Sequence, residues 1–431
     1  MDVSDLCDQP RELLIVGAGA AGLWAAQCAA RGGAEAWVLE KTPRTGSKIL
    51  ASGGSRCNLT TTLDPDGAAR LFGARAERFL RHAFRTLPPN SVRESFAEWG
   101  VPTVEAPLEK IFPESQSAKD VRDALEKQVR ASGARIVLEA PVVGVSRVDE
   151  GWAVELADGR RAIGRTLFLC VGGASYPKTG TIGEGYEWLE GLGLPLEPRV
   201  PALVPLSSPA AWVHELTGIA WASGEARLCD ADGAVLGRRR RPLLFTHQGV
   251  SGPAAMDLSR YVTVARAAAP PGAAAESFTL FLDLYPDLSR EALRDLLIAG
   301  AGAKGAPCLS RVLADSPSRR MLRALVIQAG LPGGDPRVVA LGKAQRHALV
   351  ETLKGLPIPI DGALGFDKAE VTAGGLDLAR VNPRTMEVNA QPGLYVFGEL
   401  LNLDGPIGGL NFQAAFACAE LAARDVLARR P

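Results

Sequence analysis

The sequence predicts an α/β protein in which a parallel-sheet domain, assembled from both ends of the chain, is interrupted by a β-rich insert carrying a small helical part. Three observations predict it. Residues 13–40, LLIVGAGAAGLWAAQCAARGGAEAWVLE, read as strand, Gly-rich turn, helix, strand and terminal acid. Residues 394–429 repeat that order with a short apolar strand, Gly398-Glu399, Gly408-Gly409 and a helix with an apolar face. Between them the βα alternation stops near residue 196, where prolines 195, 198, 201, 205 and 209 cluster. The outer domain is therefore expected at 1–195 plus 366–431 and the insert at 196–365, with its helical part at about 289–353.

A chain of 431 residues suggests two or three domains. Its apolar content of 47% and charged content of 22% are those of a soluble globular protein. Lys plus Arg (48) balance Asp plus Glu (48), so net charge points to neither nucleic acid nor an anionic membrane as a partner. The acidic start MDVSDLCDQPRE does not fit a signal peptide. Residues 13–30 are apolar enough to imitate a membrane span, but their glycines and small residues favour a buried βαβ unit. Seven scattered cysteines without a C-x-x-C pair fit reduced thiols and a cytoplasmic location. Histidines 82, 214, 247 and 347 lie far apart, and no metal-ligand cluster is visible.

In the opening unit, Gly17 permits a sharp exit from the strand, Gly19 lets the backbone approach a pyrophosphate, and Gly22 lets the helix sit close to the sheet. The helix start at Ala20 and Ala21 offers N–H groups and partial positive charge to phosphates. Glu40 closes the second strand where an acid accepts ribose hydroxyls. The following run, KTPRTGSKILASGGSRCNLTTT, is too rich in Gly, Ser and Thr for regular structure. Its Lys41, Lys48 and Arg56, with Gly46, Gly53 and Gly54, suit a loop wrapped around a bound dinucleotide, or alternatively a solvated basic loop. Cys57 is a lone cysteine, more often a packed residue than a redox thiol.

Residues 77–133 read as helical, with Ser117 to Asp120 fitting a capping box. Residues 135–138 form a strand candidate, and 141–148 with 152–156 a hairpin. Residues 166–171 are again a buried parallel strand, running into Gly172-Gly173 where ligands sit in open α/β sheets. In the insert, Arg238 to Arg241 reads as a solvated hairpin end and 265–276 as a mobile low-complexity loop. Residues 278–284 suggest a strand, and 289–353 helices broken at prolines. His247 stands in FTHQGVSGP, where an imidazole serves as a catalytic base or holds its own loop through backbone bonds.

Several ordered blocks together resemble the BaiN-type, aminoacetone-oxidase-like family of bacterial NAD(P)/FAD-dependent oxidoreductases, of the glutathione-reductase-like superfamily. They are Gly17–Gly22, Glu40-Lys41, Gly46-Ser47-Lys48, Ser52 to Asn58, Lys110 to Ser115, Gly172 to Pro177, Phe245 to Pro253, Thr372 to Gly375 and Gly398 to Asn411. The resemblance implies a Rossmann-like FAD-binding domain whose insert covers the flavin face. It implies that the loop through Arg56, Cys57 and Asn58 and the Gly172-Gly173 turn contact FAD, and that backbone near Val143 meets the adenine. It further implies that Asp404 takes ribityl hydroxyls, and that the helix start at Gly408, Gly409, Asn411 and Phe412 faces the reduced flavin ring. The expected function is oxidation or reduction of a small molecule held between FAD domain and insert, with hydride passing to or from flavin N5. With no second Gly-x-Gly-x-x-Gly unit, NAD(P)H would act as a diffusible reductant. One alternative is a flavin-bound assembly protein without turnover; another, a folate- or FAD-dependent tRNA modifier, shares the opening motif but is disfavoured by the neutral overall charge and the lack of a broad basic signal. Substrate, oxidase-versus-reductase character and oligomeric state are left open.

Overall fold

The computed structural model describes residues 4–7, 9–270, 277–313 and 317–430. The chain divides into two compact units, Met1–Pro201 with Glu370–Pro431, and Ala202–Ala369.

The first unit is built on strand β1 (Arg11–Val16), helix α1 (Ala20–Arg31), β2 (Ala36–Leu39), α2 (Ala118–Ala131) and β3 (Arg135–Val137). It continues through β4 (Val142–Val148), β5 (Gly151–Leu156), β6 (Arg161–Leu169), β7 (Leu394–Val396) and α3 (Leu410–Ala428). In sheet order, β3, β2, β1 and β6 lie side by side and parallel. The far edge of β6 is shared: its first half pairs antiparallel with the β4–β5 hairpin, and its last residues pair parallel with β7. Five parallel strands, β7 among them, explain the unbroken apolar runs in the sequence. They also bring Gly17, Glu40, Gly172 and Gly398, each just past a strand end, to one edge.

Helices α1 and α3 pack along each other. Trp24 meets Phe416 at 4.8 Å between ring centroids, Trp24 Nε1 and Cys28 Sγ both donate to Glu420, and Gly32 abuts Leu427. Residues 24, 28 and 32 meet 416, 420 and 427 in that order, so the two helices run parallel. Both N-termini consequently point to the same end, the carboxyl edge of the sheet.

The helical reading of 77–133 holds for Ala74–Thr86, Pro89–Glu98 and α2, but fails between them. Thr103–Ala106 and Lys110–Pro113 form a hairpin, and Thr60–Thr61 adds a third strand. Pro102, Pro107 and Pro113 exclude a continuous helix there, and the strands find partners that local periodicity does not reveal. The capping box at Ser117 does not form either: Ser117 is the N-cap residue but its side chain caps nothing.

The second unit has its own apolar core. A five-stranded sheet orders Ala220–Trp221, Leu243–Thr246, Gly249–Ser251, Leu206–Ser207 and Gly362–Ala363. A four-stranded sheet orders Val235–Arg239, Glu225–Cys229, Phe278–Asp283 and Leu356–Ile360. Helices Arg290–Gly302, Leu309–Val312, Arg319–Gln328 and Lys343–Lys354 make the helical part. The arginine run is not a hairpin end: Arg238 and Arg239 belong to the strand, and Arg238, Arg239 and Arg240 pair with Glu225, Asp257 and Asp287. The low-complexity stretch begins inside helix Gly252–Ala268, while 271–276 lie outside the described residues.

Candidate functional site

The three motif glycines have different reasons to be glycine. Gly17 takes φ +107°, and a Cβ there would lie 2.7 Å from the Cys170 carbonyl oxygen. A Cβ on Gly22 would lie 1.9 Å from the Gly17 carbonyl oxygen. Gly19 is different: a Cβ there would meet nothing within 4 Å, and its backbone is extended. The protein itself thus has no packing use for a bare backbone at Gly19. No side chain caps the helix that follows, so the first N–H groups, at Ala20 and Ala21 beside Gly19, are left without an intrahelical or side-chain partner. This is the cradle a dinucleotide pyrophosphate fits.

Glu40 stands beside it. One oxygen accepts from the Ala18 N–H at 3.0 Å, and the other from the Thr42 N–H at 2.9 Å and hydroxyl at 2.8 Å. An ionised carboxylate accepts about four hydrogen bonds, so capacity for a ribose hydroxyl is left. The Gly46 N–H, from a left-handed residue, docks on the Ala18 carbonyl at 2.8 Å and clips the 41–58 loop to the glycine turn. Lys41 pairs with Glu184.

The loop carries a run of left-handed residues, Gly53, Gly54, Ser55 and Cys57. Arg56 is exposed, with its guanidinium carbon 4.5 Å from the Phe112 ring centroid. Asn58 Oδ1 accepts from the Ile111 N–H at 3.0 Å, tying the loop to the three-stranded sheet. Cys57 is fully buried, and burial pushes its thiol up to about 12. It is expected to resist iodoacetamide at pH near 8 in the native state and to react on unfolding; rapid native labelling at Cys57, read by peptide mass, would contradict this packing.

A polar knot, unforeseen from the sequence, joins the loop to the C-terminal part of the unit. Lys48 Nζ donates to Glu399 at 2.7 Å and to the Ser175 hydroxyl at 2.8 Å. The other Glu399 oxygen accepts from Ser175 Oγ at 2.5 Å and from the Thr372 N–H at 2.8 Å. Thr372 Oγ1 in turn accepts from the Ala174 and Ser175 N–H groups at 2.8 and 3.1 Å. Gly173 is glycine because a Cβ would lie 2.4 Å from Thr372 Oγ1. Burial pushes the Glu399 carboxyl up, but the Lys48 ammonium and the hydrogen bonds from Lys48, Ser175 and Thr372 outweigh it and hold it below the ordinary value. An ammonium has three protons, and the knot uses two, so Lys48 keeps one to offer.

At the C-terminal helix start, Gly409 takes φ +79°, and a Cβ there would lie 2.1 Å from the Thr60 carbonyl oxygen. Gly408 precedes it, also at positive φ. Asn411 bridges the Gly405 N–H (2.8 Å) and carbonyl (2.9 Å), fixing the turn before the helix. No side chain caps α3. Phe412 stacks on Phe416, Asp404 is buried nearby in sequence, and the Gly398 Cβ position lies 3.5 Å from Ala21.

Gly17, Gly19, Gly22, Glu40, Gly46, Lys48, Gly172, Gly173, Gly398 and Glu399 therefore share one edge of one unit. Val143 sits at a bulge between Val142 and Gly144, with its side chain 56% exposed. His247 occupies the exposed two-residue turn between Leu243–Thr246 and Gly249–Ser251 of the second unit. The sequence reading missed Ser175 and Thr372 as site residues, although both lie in Gly-rich blocks it had marked.

A parallel sheet that gathers a Gly-lined phosphate cradle, a ribose-type acid and two parallel helix N-termini at one edge defines a Rossmann-type FAD-binding domain. The chain belongs to the family described as HI0933-like protein Rossmann domain, which matches residues 11–425 and consists of FAD-dependent oxidoreductases. It is 30% identical over 424 residues to the 3-dehydro-bile acid delta(4,6)-reductase of Clostridium scindens, covering 97% of this chain and 99% of that one. It is 29% identical over 419 residues to the ribosomal RNA dihydrouridine synthase of Escherichia coli, covering 97% and 98%. Among solved structures, 3-ketosteroid delta1-dehydrogenase from Sterolibacterium denitrificans shares the fold at TM-score 0.51 and 12% identity, covering 97% of this chain and 99% of that one. The 3-ketosteroid-delta4-(5alpha)-dehydrogenase from Rhodococcus jostii RHA1 does so at 0.50 and 15%, covering 97% of each. Among the described residues, no helix is long and apolar enough to cross a membrane, and no cluster of His, Cys, Asp and Glu is placed to hold a metal ion.

Proposed function

We propose that the protein is an FAD-dependent oxidoreductase that adds or removes two hydrogens across a carbon–carbon double bond conjugated with a carbonyl. The observation that carries the flavin half is the glycine turn, where Gly17 and Gly22 are closed by backbone and Gly19 alone opens on space beside an uncapped helix. The double-bond half rests on the names of the two relatives. A 3-dehydro-bile acid delta(4,6)-reductase and a dihydrouridine synthase both saturate an alkene conjugated with a carbonyl, one on a steroid and one on a uracil.

In this reading Ala20 and Ala21 N–H groups hold the pyrophosphate and Glu40 the adenosine ribose. Lys48, set in place by Glu399 and Ser175, offers its remaining proton to the cofactor. The uncapped start of α3 would supply positive potential to the negative charge of a reduced flavin. Bound FAD supplies the two-electron hydride chemistry at N5. NADH or NADPH, arriving by diffusion, is the proposed reductant.

The test is anaerobic. Purified yellow protein is bleached with NADH or NADPH, then given either a 3-oxo-4-ene steroid or a uracil-containing RNA. Return of the flavin colour together with a product two hydrogens heavier by mass spectrometry is the expected result. Flavin that no donor reduces, or that neither acceptor reoxidises, would sink the proposal and favour a flavoprotein without turnover.

A further inference from the structure

The chain-wide charge balance conceals two opposite halves. Residues 202–369 hold nineteen Lys or Arg against fifteen Asp or Glu, while the rest of the chain holds twenty-nine against thirty-three. The excess is concentrated in the helical part of the second unit: residues 289–354 carry eleven basic side chains against five acidic ones. Some of these have structural partners. Arg290 pairs with Glu351 and Lys354 with Asp283, while Arg320 donates to the carbonyls of Glu215 and Thr217.

Others are spent on nothing in the fold. Arg311, Arg319, Arg323, Arg337 and Lys343 are exposed and, among the described residues, have no acid partner. Arg319 and Arg323 are four apart on helix Arg319–Gln328 and share its solvent face. The Pro332–Gly334 turn lies against that face, with the Gly333 Cβ position 3.9 Å from Arg323 Cγ. The chain then runs through Arg337, which bridges back to Cys308 beside the short helix bearing Arg311. Asp335, the acid nearest Arg337 in sequence, is engaged by the Ser310 N–H at 3.0 Å and hydroxyl at 2.5 Å. Four arginines and a lysine that satisfy no protein group among the described residues, in a stretch where basic side chains total eleven and acidic ones five, form an electrostatic footprint for a polyanion.

We propose that this helical face docks the phosphate backbone of RNA. The inference rests on the proposed chemistry, because a uracil is one of the two conjugated acceptors it admits. It leaves base recognition to the active site and assigns the helices the sequence-independent share of binding.

The test uses the full-length flavoprotein, a 30-nucleotide uracil-containing RNA hairpin as probe, and a salt series. The decisive variant is Arg319→Ala/Arg323→Ala/Arg337→Ala/Lys343→Ala, and the control is Arg238→Ala/Arg240→Ala, which removes arginines already paired with acids. Wild type and control are expected to bind alike. The fourfold variant should bind at least about tenfold more weakly near 0.1 M salt, with the log–log salt slope reduced by about 3, at roughly 0.7 per charge removed. An unchanged far-UV circular dichroism spectrum and an unchanged melting profile in the fourfold variant show that its fold is intact. Equal binding by the fourfold variant and wild type would overturn the proposal, as would a wild type that binds anionic phospholipid vesicles but no RNA. A wild type that binds RNA but takes up no FAD would instead overturn the flavin reading and leave the docking face standing.

Discussion

Gly19→Val is expected to fold as the wild type does and to lose FAD. The Gly19 backbone is at φ −80° and ψ −168°, extended geometry open to any residue, and a Cβ there meets no protein atom within 4 Å. The added side chain therefore fills only the open space proposed for the pyrophosphate. An affinity loss of at least about 100-fold, roughly 3 kcal/mol, is expected in a fluorescence-quenching titration, with little change in the melting of the apoprotein. Gly22→Val makes the contrast. Its Cβ would sit 1.9 Å from the Gly17 carbonyl oxygen, so helix and sheet must part and the apoprotein itself should melt early. If both variants lost stability equally, Gly19 would be a packing glycine and the cradle would be misassigned.

The second large effect is expected from Lys48→Met. Glu399 would keep its bonds from Ser175 and the Thr372 N–H but lose the ammonium that offsets its burial. Stranding that carboxylate is expected to cost roughly 2–4 kcal/mol, below the full value for a buried pair because Lys48 is partly exposed. The sign with pH follows from the direction of the Glu399 shift. In the wild type its carboxyl is held below the ordinary range, so it contributes stability that is present above about pH 4.3 and lost as pH falls through the lower folded value. In Lys48→Met burial dominates, the folded value rises above the ordinary one, and the group becomes destabilising at neutral pH. Urea midpoints should therefore diverge between about pH 4 and pH 7, with the variant losing most at the upper end. Lys48→Met/Glu399→Gln should recover much of the loss. A pH-independent deficit that the double variant does not relieve would show that the knot is not electrostatic.

The two features differ in how far the sequence disclosed them. The Gly17–Gly22 turn was legible because strand, turn, helix and acid are consecutive, and Gly17 and Gly22 answer to backbone of the same unit while Gly19 opens on space. The knot was not, because Lys48 and Glu399 are 351 residues apart and meet only through the topology that sets β7 beside β6. Both ends carry a Gly-rich block, which marked the region without revealing the pairing. The 103–113 hairpin was lost for a related reason: its stabilising third strand, Thr60–Thr61, lies forty residues upstream, so local periodicity favoured the flanking helices. Total charge was silent in another way, since a sum of zero carries no information about how basic and acidic residues are distributed between the two units.

The most direct measurement is an equilibrium titration of the purified, flavin-stripped chain with FAD, followed by flavin fluorescence. Saturation at one FAD per chain is expected for the wild type, and no saturable uptake by Gly19→Val at the same concentrations. A wild type that takes up no flavin, or a Gly19→Val chain that takes it up as readily, would contradict that expectation.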